Sequence, residues 1–249
     1  MLAIVSSVWT MSKDQNENRL PSLCDQWNVL YETYSEDLFF TYVYSLSTDT
    51  TINGKIYTQL VQEYESSAYY KGAMREGNNR DIYYVPVNST HEYLLYAFNA
   101  QVGDTLTNLW VGGWEHNNGD TAIVGSISDD TPRVFTLDVI ERENDYFYTW
   151  NMQWIEGIGS IQEPLGYLCP PPFMCAFFHV SLLCAYKNGE QVYASELSEQ
   201  YGCEYNYDPF DSGLSNQSPE TRCTKLLREG QLLILRGNKT YTIQGQEVK

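Results

Sequence analysis

The chain has 249 residues, enough for one large all-β domain or two smaller ones, and its hydrophobic fraction of 43% is ordinary for a packed core. Its 32 acidic residues against 15 basic ones leave a net charge of −17. That charge repels phosphate backbones and anionic membrane surfaces, and so argues against nucleic-acid binding. No apolar run approaches the ~20 residues that a bilayer-spanning helix needs.

The chain opens on Met1-Leu-Ala-Ile-Val-Ser-Ser-Val-Trp9, a short apolar stretch without the basic residues that precede a signal sequence's core. It is read either as the remnant of a signal peptide that begins upstream or as a frayed end, and residues 1–26 are set apart as an N-terminal segment. Asn28 to Asp37 is the best candidate for a short helical turn leading into the first strand. From about residue 38 the pattern becomes strand, turn, strand. In Thr41-Tyr-Val-Tyr-Ser-Leu-Ser47, Tyr42, Tyr44 and Leu46 share one face. In Val134-Phe-Thr-Leu-Asp-Val-Ile140, Phe135, Leu137 and Val139 do the same. Alternation of period two predicts half-buried antiparallel strands. Glu92-Tyr-Leu-Leu-Tyr-Ala-Phe98 is nearly continuously apolar, as a strand covered on both faces is. Asn53-Gly54, Asn118-Gly119 and Asn188-Gly189 are hairpin dipeptides, because both central residues of a type I′ turn need positive φ.

These signals predict an all-β fold over residues 27–203, an antiparallel meander closed as a barrel or folded as a sandwich. Residues 204–224 are rich in Asp, Ser, Asn, Pro and Gly and read as a linker. Residues 225–249 contain two strand-like runs around Gly237-Asn238, a small C-terminal β-hairpin tail with the look of an attachment module.

Six cysteines fit an oxidising compartment and allow 15 disulfide connectivities. Cys169, Cys175, Cys184 and Cys203 are the disulfide candidates because they cluster. Cys169 bridged to Cys175 and Cys175 facing Cys184 across a hairpin both remain open. No Cys-x-x-Cys pair occurs and His179 has no companion at ligand spacing, so a metal site is not expected. No motif asks for a cofactor. His91, His116 and His179 are dispersed, and no Gly-x-Ser-x-Gly elbow marks a nucleophile.

Two constellations carry chemistry. In Trp150-Asn-Met-Gln-Trp-Ile-Glu-Gly-Ile-Gly-Ser160, Glu156 beside Trp154 is a candidate catalytic acid. A glycosidase needs a second carboxylate, for which Asp138, Glu141, Glu143 and Asp145 compete. The alternative is an ion pair between Glu156 and a base such as Arg75 or Arg133, and that alternative is favoured. Trp110 and Trp114 flank Gly112-Gly113 and are candidates for stacking on sugar rings; the competing role is a pair of core plugs. Arg75-Glu76 is a candidate turn-ordering pair or anion clamp.

Five segments in order carry a resemblance: Asp49–Tyr57, Tyr70–Glu76, Glu92–Phe98 leading to Val102-Gly-Asp-Thr105, Trp154–Ser160, and Leu183–Gly189. Together they resemble an uncharacterised family of secreted all-β proteins from the Gram-negative phylum that uses type IX secretion. The terminal Ile234-Leu-Arg-Gly-Asn-Lys-Thr-Tyr241 resembles the short sorting tails of such proteins. The resemblance implies export beyond the inner membrane and engagement of secretion machinery through the tail; it implies no catalytic residues. The expected protein is therefore a non-enzymatic cell-surface or secreted interaction module, with a surface glycan or protein as partner. A carbohydrate-active hydrolase using Glu156 and a small-ligand carrier are the alternatives.

Overall fold

The computed structural model describes residues 20–33, 38–65, 67–112, 120–143, 146–166 and 178–207, together with the tail strands. Thirteen strands form one sheet: β1 (Gln26–Thr33), β2 (Phe39–Ile52), β3 (Lys55–Tyr64), β4 (Ser67–Glu76), β5 (Asp81–Pro86), β6 (Tyr93–Ala97), β7 (Thr105–Leu109), β8 (Asp120–Ile127), β9 (Val134–Glu143), β10 (Tyr146–Ile155), β11 (Gly159–Ser160), β12 (Phe178–Lys187) and β13 (Glu190–Ala194). Their spatial order is β11 down to β1 in reverse sequence, then β12 and β13. Every pairing is antiparallel except β6–β7. A helix α1 (Glu196–Tyr201) follows β13. Two hairpins fall where the sequence puts them. Ile52 pairs Lys55 across Asn53-Gly54 and Lys187 pairs Glu190 across Asn188-Gly189, with all four turn residues at positive φ.

The sheet is an open meander and does not close into a barrel. It curls until its ends meet. The turn after β10 reaches β1, where the Trp27 indole N–H donates to Ile158 O at 2.7 Å and Cys24 N–H donates to Gly157 O at 2.8 Å. One further bond, Leu182 N–H to Ile161 O, ties β12 to the segment after β11. The inner face thereby packs against itself. Trp27, Tyr44, Leu60, Met74, Tyr96, Phe98, Leu106, Val124, Phe135, Met152, Trp154 and Leu182 belong to a single buried cluster that draws on strands from one end of the sheet to the other. Phe135, Leu137 and Val139 all lie in it, as their alternation requires. Leu20, Leu23 and Cys24, N-terminal to β1, pack there too.

Residues 28–33 are strand, not the helical turn expected of them. The reason is that β1 is covered on both sides. Val29 and Tyr31 face the inner core, whereas Leu30 lies with Leu183 and Cys184 under a strap formed by Ser195–Tyr207. A strand buried on both faces has an unbroken apolar run, which carries no period to distinguish it from a helix. The strap is held by the Cys184–Cys203 disulfide, by Asn28 Nδ2–H donating to Cys203 O, and by Phe39 and Tyr207 bridging through their backbones. Thr41 exchanges hydrogen bonds with Tyr205 and Asn206. Packing that the sequence places within 27–203 thus runs from Leu20 to Tyr207.

The tail is a four-stranded antiparallel meander rather than a hairpin: β14 (Cys223–Arg228), β15 (Gln231–Arg236), β16 (Lys239–Thr242) and β17 (Glu247–Val248). An isolated two-stranded hairpin is marginal in water, and added strands supply the missing pairing.

Phe135 is fully buried beneath Phe98, at 6.3 Å between ring centroids. Phe135→Ala is expected to cost about 3–5 kcal/mol, read as a lower urea midpoint. A loss below about 1 kcal/mol would show that the inner face is not one packed core.

Candidate functional site

Glu156 sits in the turn after β10, before Gly157 at positive φ. Its carboxylate is clamped by two guanidinium groups. Arg133 Nε approaches Oε2 at 2.8 Å, and Arg80 Nη1 approaches Oε1 at 2.7 Å. The Arg133 guanidinium, with Arg80 behind it, outweighs partial burial and holds the Glu156 carboxyl at about 2. A carboxyl so held is ionised at neutral pH and cannot donate a proton as a general acid. Arg133 also donates to Phe98 O, and Arg80 to Ser22 Oγ, while Ser22 donates to both oxygens of Glu76. These contacts tie the N-terminal segment, the β4–β5 turn and the β9–β10 end together. Arg133 is therefore the base that pairs Glu156, and Arg75 is not. Trp154 points the other way, into the core, with its ring 5.3 Å edge-on to Tyr96. Among the second-carboxylate candidates, Asp138 is bonded by Asn151 at 2.6 Å; Asp145 lies outside the described residues, as do the side chains of Glu141 and Glu143.

Arg75 is not paired with Glu76. It forms a two-pronged bond to Glu92, with both N···O distances 2.6 Å, and its guanidinium lies 4.4 Å over the Tyr83 ring. Burial alone would raise the Glu92 carboxyl; Arg75, Tyr57 and Lys55 together pull it down to about 2. This network fastens the β5–β6 loop to the outer face, and its Arg is spent.

Trp110 is half-buried, and its indole N–H donates to Leu165 O at 2.9 Å. Its ring stands edge-on to Tyr84 and Tyr93. It plugs the core, with its one donor already used. Trp114 lies outside the described residues, as do Cys169, Cys175 and His116. Cys184 bonds to Cys203, and Cys24 is a free, buried thiol. Among the described residues no cluster of metal-ligating side chains occurs.

A constellation that sequence reasoning missed lies inside the curled sheet. After β11 the chain enters the interior, fixed by Tyr96 O–H donating to Pro164 O and Ser160 O–H to Gly166 O. This delivers Glu163, which is only 6% exposed, to the inner face of β1–β3. There Tyr31 O–H donates to Glu163 Oε2 at 2.5 Å and Tyr44 O–H donates to the same oxygen at 2.7 Å. Gln62 Nε2–H donates to the Tyr44 hydroxyl at 2.6 Å. Burial first, and the Glu163 carboxylate second, push the Tyr31 and Tyr44 phenols well above their ordinary value, so both stay neutral donors. No ion pair reaches Glu163 among the described residues.

The site continues toward solvent along the rungs of the sheet. Tyr44 pairs Gln62 and Gln62 pairs Tyr69, so the three share a face. Exposure rises along that rung from 1% at Tyr44 to 56% at Tyr69. Beside it Tyr42, Tyr64 and Phe40 form an edge-to-face aromatic group with centroid separations of 5.2–5.7 Å, joined to Tyr31. The result is a tyrosine-lined ramp from a buried carboxylate to the surface, with Tyr70 exposed on the other face of β4. The sequence signal was half present. Alternation placed Tyr42 and Tyr44 together, but nothing local announces that Glu163 returns beneath them from more than a hundred residues away.

No family model, curated protein or solved structure matches the chain.

The two clamped carboxyls set an acid dependence. Each has a folded value near 2 against an ordinary 4.5, so its stabilisation is present above about pH 4.5 and is lost as pH falls toward 2. The phenols act oppositely. Raised in the fold, they contribute fully below about pH 10 and lose that contribution as pH climbs beyond it. Urea midpoints across pH should therefore plateau between these limits. Glu156→Gln is expected to flatten the acid limb, and an unchanged limb would remove Glu156 from it.

Proposed function

We propose that this is an exported, non-enzymatic interaction module that binds its partner on the tyrosine ramp. The observation that carries the proposal is the ramp itself. Tyr42, Tyr64 and Tyr69 share an inner sheet face that runs out of the core, and Tyr69 keeps more than half its surface in water. Tyrosine pairs a large stacking face with a polar tip and loses little freedom on binding, which suits glycan or protein recognition. The Cys184–Cys203 disulfide supports an oxidising compartment, in line with the secreted family that five segments resemble. The commitment of Glu156 to two arginines removes the acid that the hydrolase alternative needs. For the carrier alternative, the space an open apolar mouth would lead into is filled by Trp27, Trp154, Tyr96, Phe98 and Phe135.

The C-terminal sheet fits an attachment role, engaging the secretion machinery. The tail, residues 225–249, carries Lys225, Arg228, Arg236, Lys239 and Lys249 against Glu229 and Glu247 only, opposite in sign to the rest of the chain. A module of opposite charge has its own partner surface.

Two measurements test the proposal. Fractionation of producing cells, with intact mass under non-reducing conditions, should find the protein outside the inner membrane and lighter by the hydrogens lost to disulfide bonding. A fully reduced cytoplasmic protein would overturn export. On a glycan array and an extracellular-protein array, Tyr69→Ala and Tyr64→Ala should weaken capture about tenfold, with Tyr69→Ala leaving the melting temperature unchanged. Capture that is indifferent to both would remove the ramp as the binding face.

A further inference from the structure

The strap Ser195–Tyr207 covers apolar surface without burying any residue of its own. Beneath it lie Leu30, Leu183 and Cys184, a buried cluster separate from the inner core. Yet every residue from 195 to 207 is half-buried or exposed, and α1 has no buried residue. Its apolar hold includes the rings of Tyr201 and Tyr205, each 5.7 Å from the Phe39 ring. Hydrogen bonds fasten its two ends. Ser195 N–H donates to Leu183 O at 2.8 Å at one end, and Tyr205, Asn206 and Tyr207 meet Thr41 and Phe39 at the other. The Ser195 hydroxyl is buried and has no partner among the described residues, a cost that the closed strap carries and an open one sheds. Segments with little buried apolar area open locally while the rest of a fold stays intact. What opposes opening here is covalent, because the Cys184–Cys203 bond joins the strap to β12. Cys184 is fully buried and Cys203 is half-buried, so solvent reaches the pair from the Cys203 side.

We propose that the Cys184–Cys203 bond is a thiol-operated latch: a dithiol reductant opens the strap while the inner sheet stays folded. A thiolate of the reductant attacks Cys203 Sγ and forms a mixed disulfide with it, and Cys184 departs as a thiolate and is protonated. The reductant's second thiolate then displaces Cys203 and closes its own disulfide. Two electrons pass to the protein, and both cysteines end as thiols. Freed of its covalent anchor, the strap exchanges its contacts for water and uncovers Leu30 and Leu183. Residues 195–207 then join the chain that separates the main sheet from the tail strands. The latch is independent of the tyrosine ramp, which uses none of these residues.

The test is limited proteolysis of the full chain by chymotrypsin, with fragments identified by mass, before and after incubation with dithiothreitol in the absence of denaturant. Cleavage after Tyr201 and Tyr205, which are half-buried in the closed strap, should accelerate about tenfold or more. Alkylation should then label both Cys184 and Cys203, and the near-ultraviolet circular dichroism should be largely retained. The double variant Cys184→Ala/Cys203→Ser should be cleaved at the fast rate from the start and should not respond to dithiothreitol, which separates this bond from any made by the other cysteines. An unchanged cleavage rate after both cysteines have been labelled would show that the non-covalent contacts suffice, and overturns the latch. So does a bond that is reduced only in denaturant. So does a near-ultraviolet signal that collapses together with strap cleavage, since strap and sheet would then open as one unit. If the double variant fails to fold, the wild-type experiment decides alone.

Discussion

A thirteen-stranded open sheet has too much apolar surface on one face to leave in water, and among the described residues what covers that face is chiefly the face itself. That constraint explains most of what is seen. The sheet twists and curls until β1 and β12 meet the turn after β10, and Trp27 completes the seam by donating to Ile158 O. The residues filling the enclosed space are large: Trp27, Trp154, Tyr96, Phe98 and Phe135 are all fully buried. Ladder pairing alone would leave the two ends of such a sheet free to open. The seam keeps them together with side chains and single backbone bonds, so no continuous ladder has to close the circle.

Polar clamps sit where packing alone leaves segments loose. Glu156 collects Arg80 and Arg133 at the seam, Glu92 collects Arg75, Lys55 and Tyr57 on the outer face, and Glu163 collects two phenols within. In each case one carboxylate fixes a turn or loop to strands distant in sequence. Arg80 takes a positive φ of 62° to reach its partners, a conformation that a long side chain adopts at a cost of about 1–3 kcal/mol. The two-guanidinium bond to Glu156 and the bond to Ser22 offset it. The free edge β13 is short, begins with Glu190 and carries a bulge at Val192, features that blunt an edge against pairing with other chains.

Fold class was legible because alternation and turn chemistry are local. Phe135, Leu137 and Val139 declare an inward face by spacing alone, and Asn53-Gly54 and Asn188-Gly189 declare their hairpins because few other residues accept both positive φ values. β1 was not legible, since cover on both faces erases the period that separates strand from helix. The short helix Glu196–Tyr201 escaped for a related reason: it spans under two turns and buries none of its residues, so it has no stripe to read. The site was harder still. Glu156 could be seen as a candidate, and so could its pairing with Arg133, but Arg80 lies 76 residues away, in a turn whose backbone no local pattern announces. Glu163 looks like an ordinary loop residue in Gln162-Glu163-Pro164. Its role comes from the curl of the sheet, which no local pattern encodes.

The strap from Ser195 to Tyr207 also decides how the molecule answers to force. Among the described residues, a tug arriving from the C-terminal side first meets the Tyr207–Phe39 bridge and the bonds to Thr41, contacts that peel one at a time. It then reaches Cys203, which is bonded covalently to Cys184 on β12, one of the strands flanking β1. The pull is thus handed to β12, the strand beside the edge strand β13, and not to the end of β13 itself. Tension in whatever follows residue 207 can strip the strap only as far as that covalent stop, where β12 takes the load.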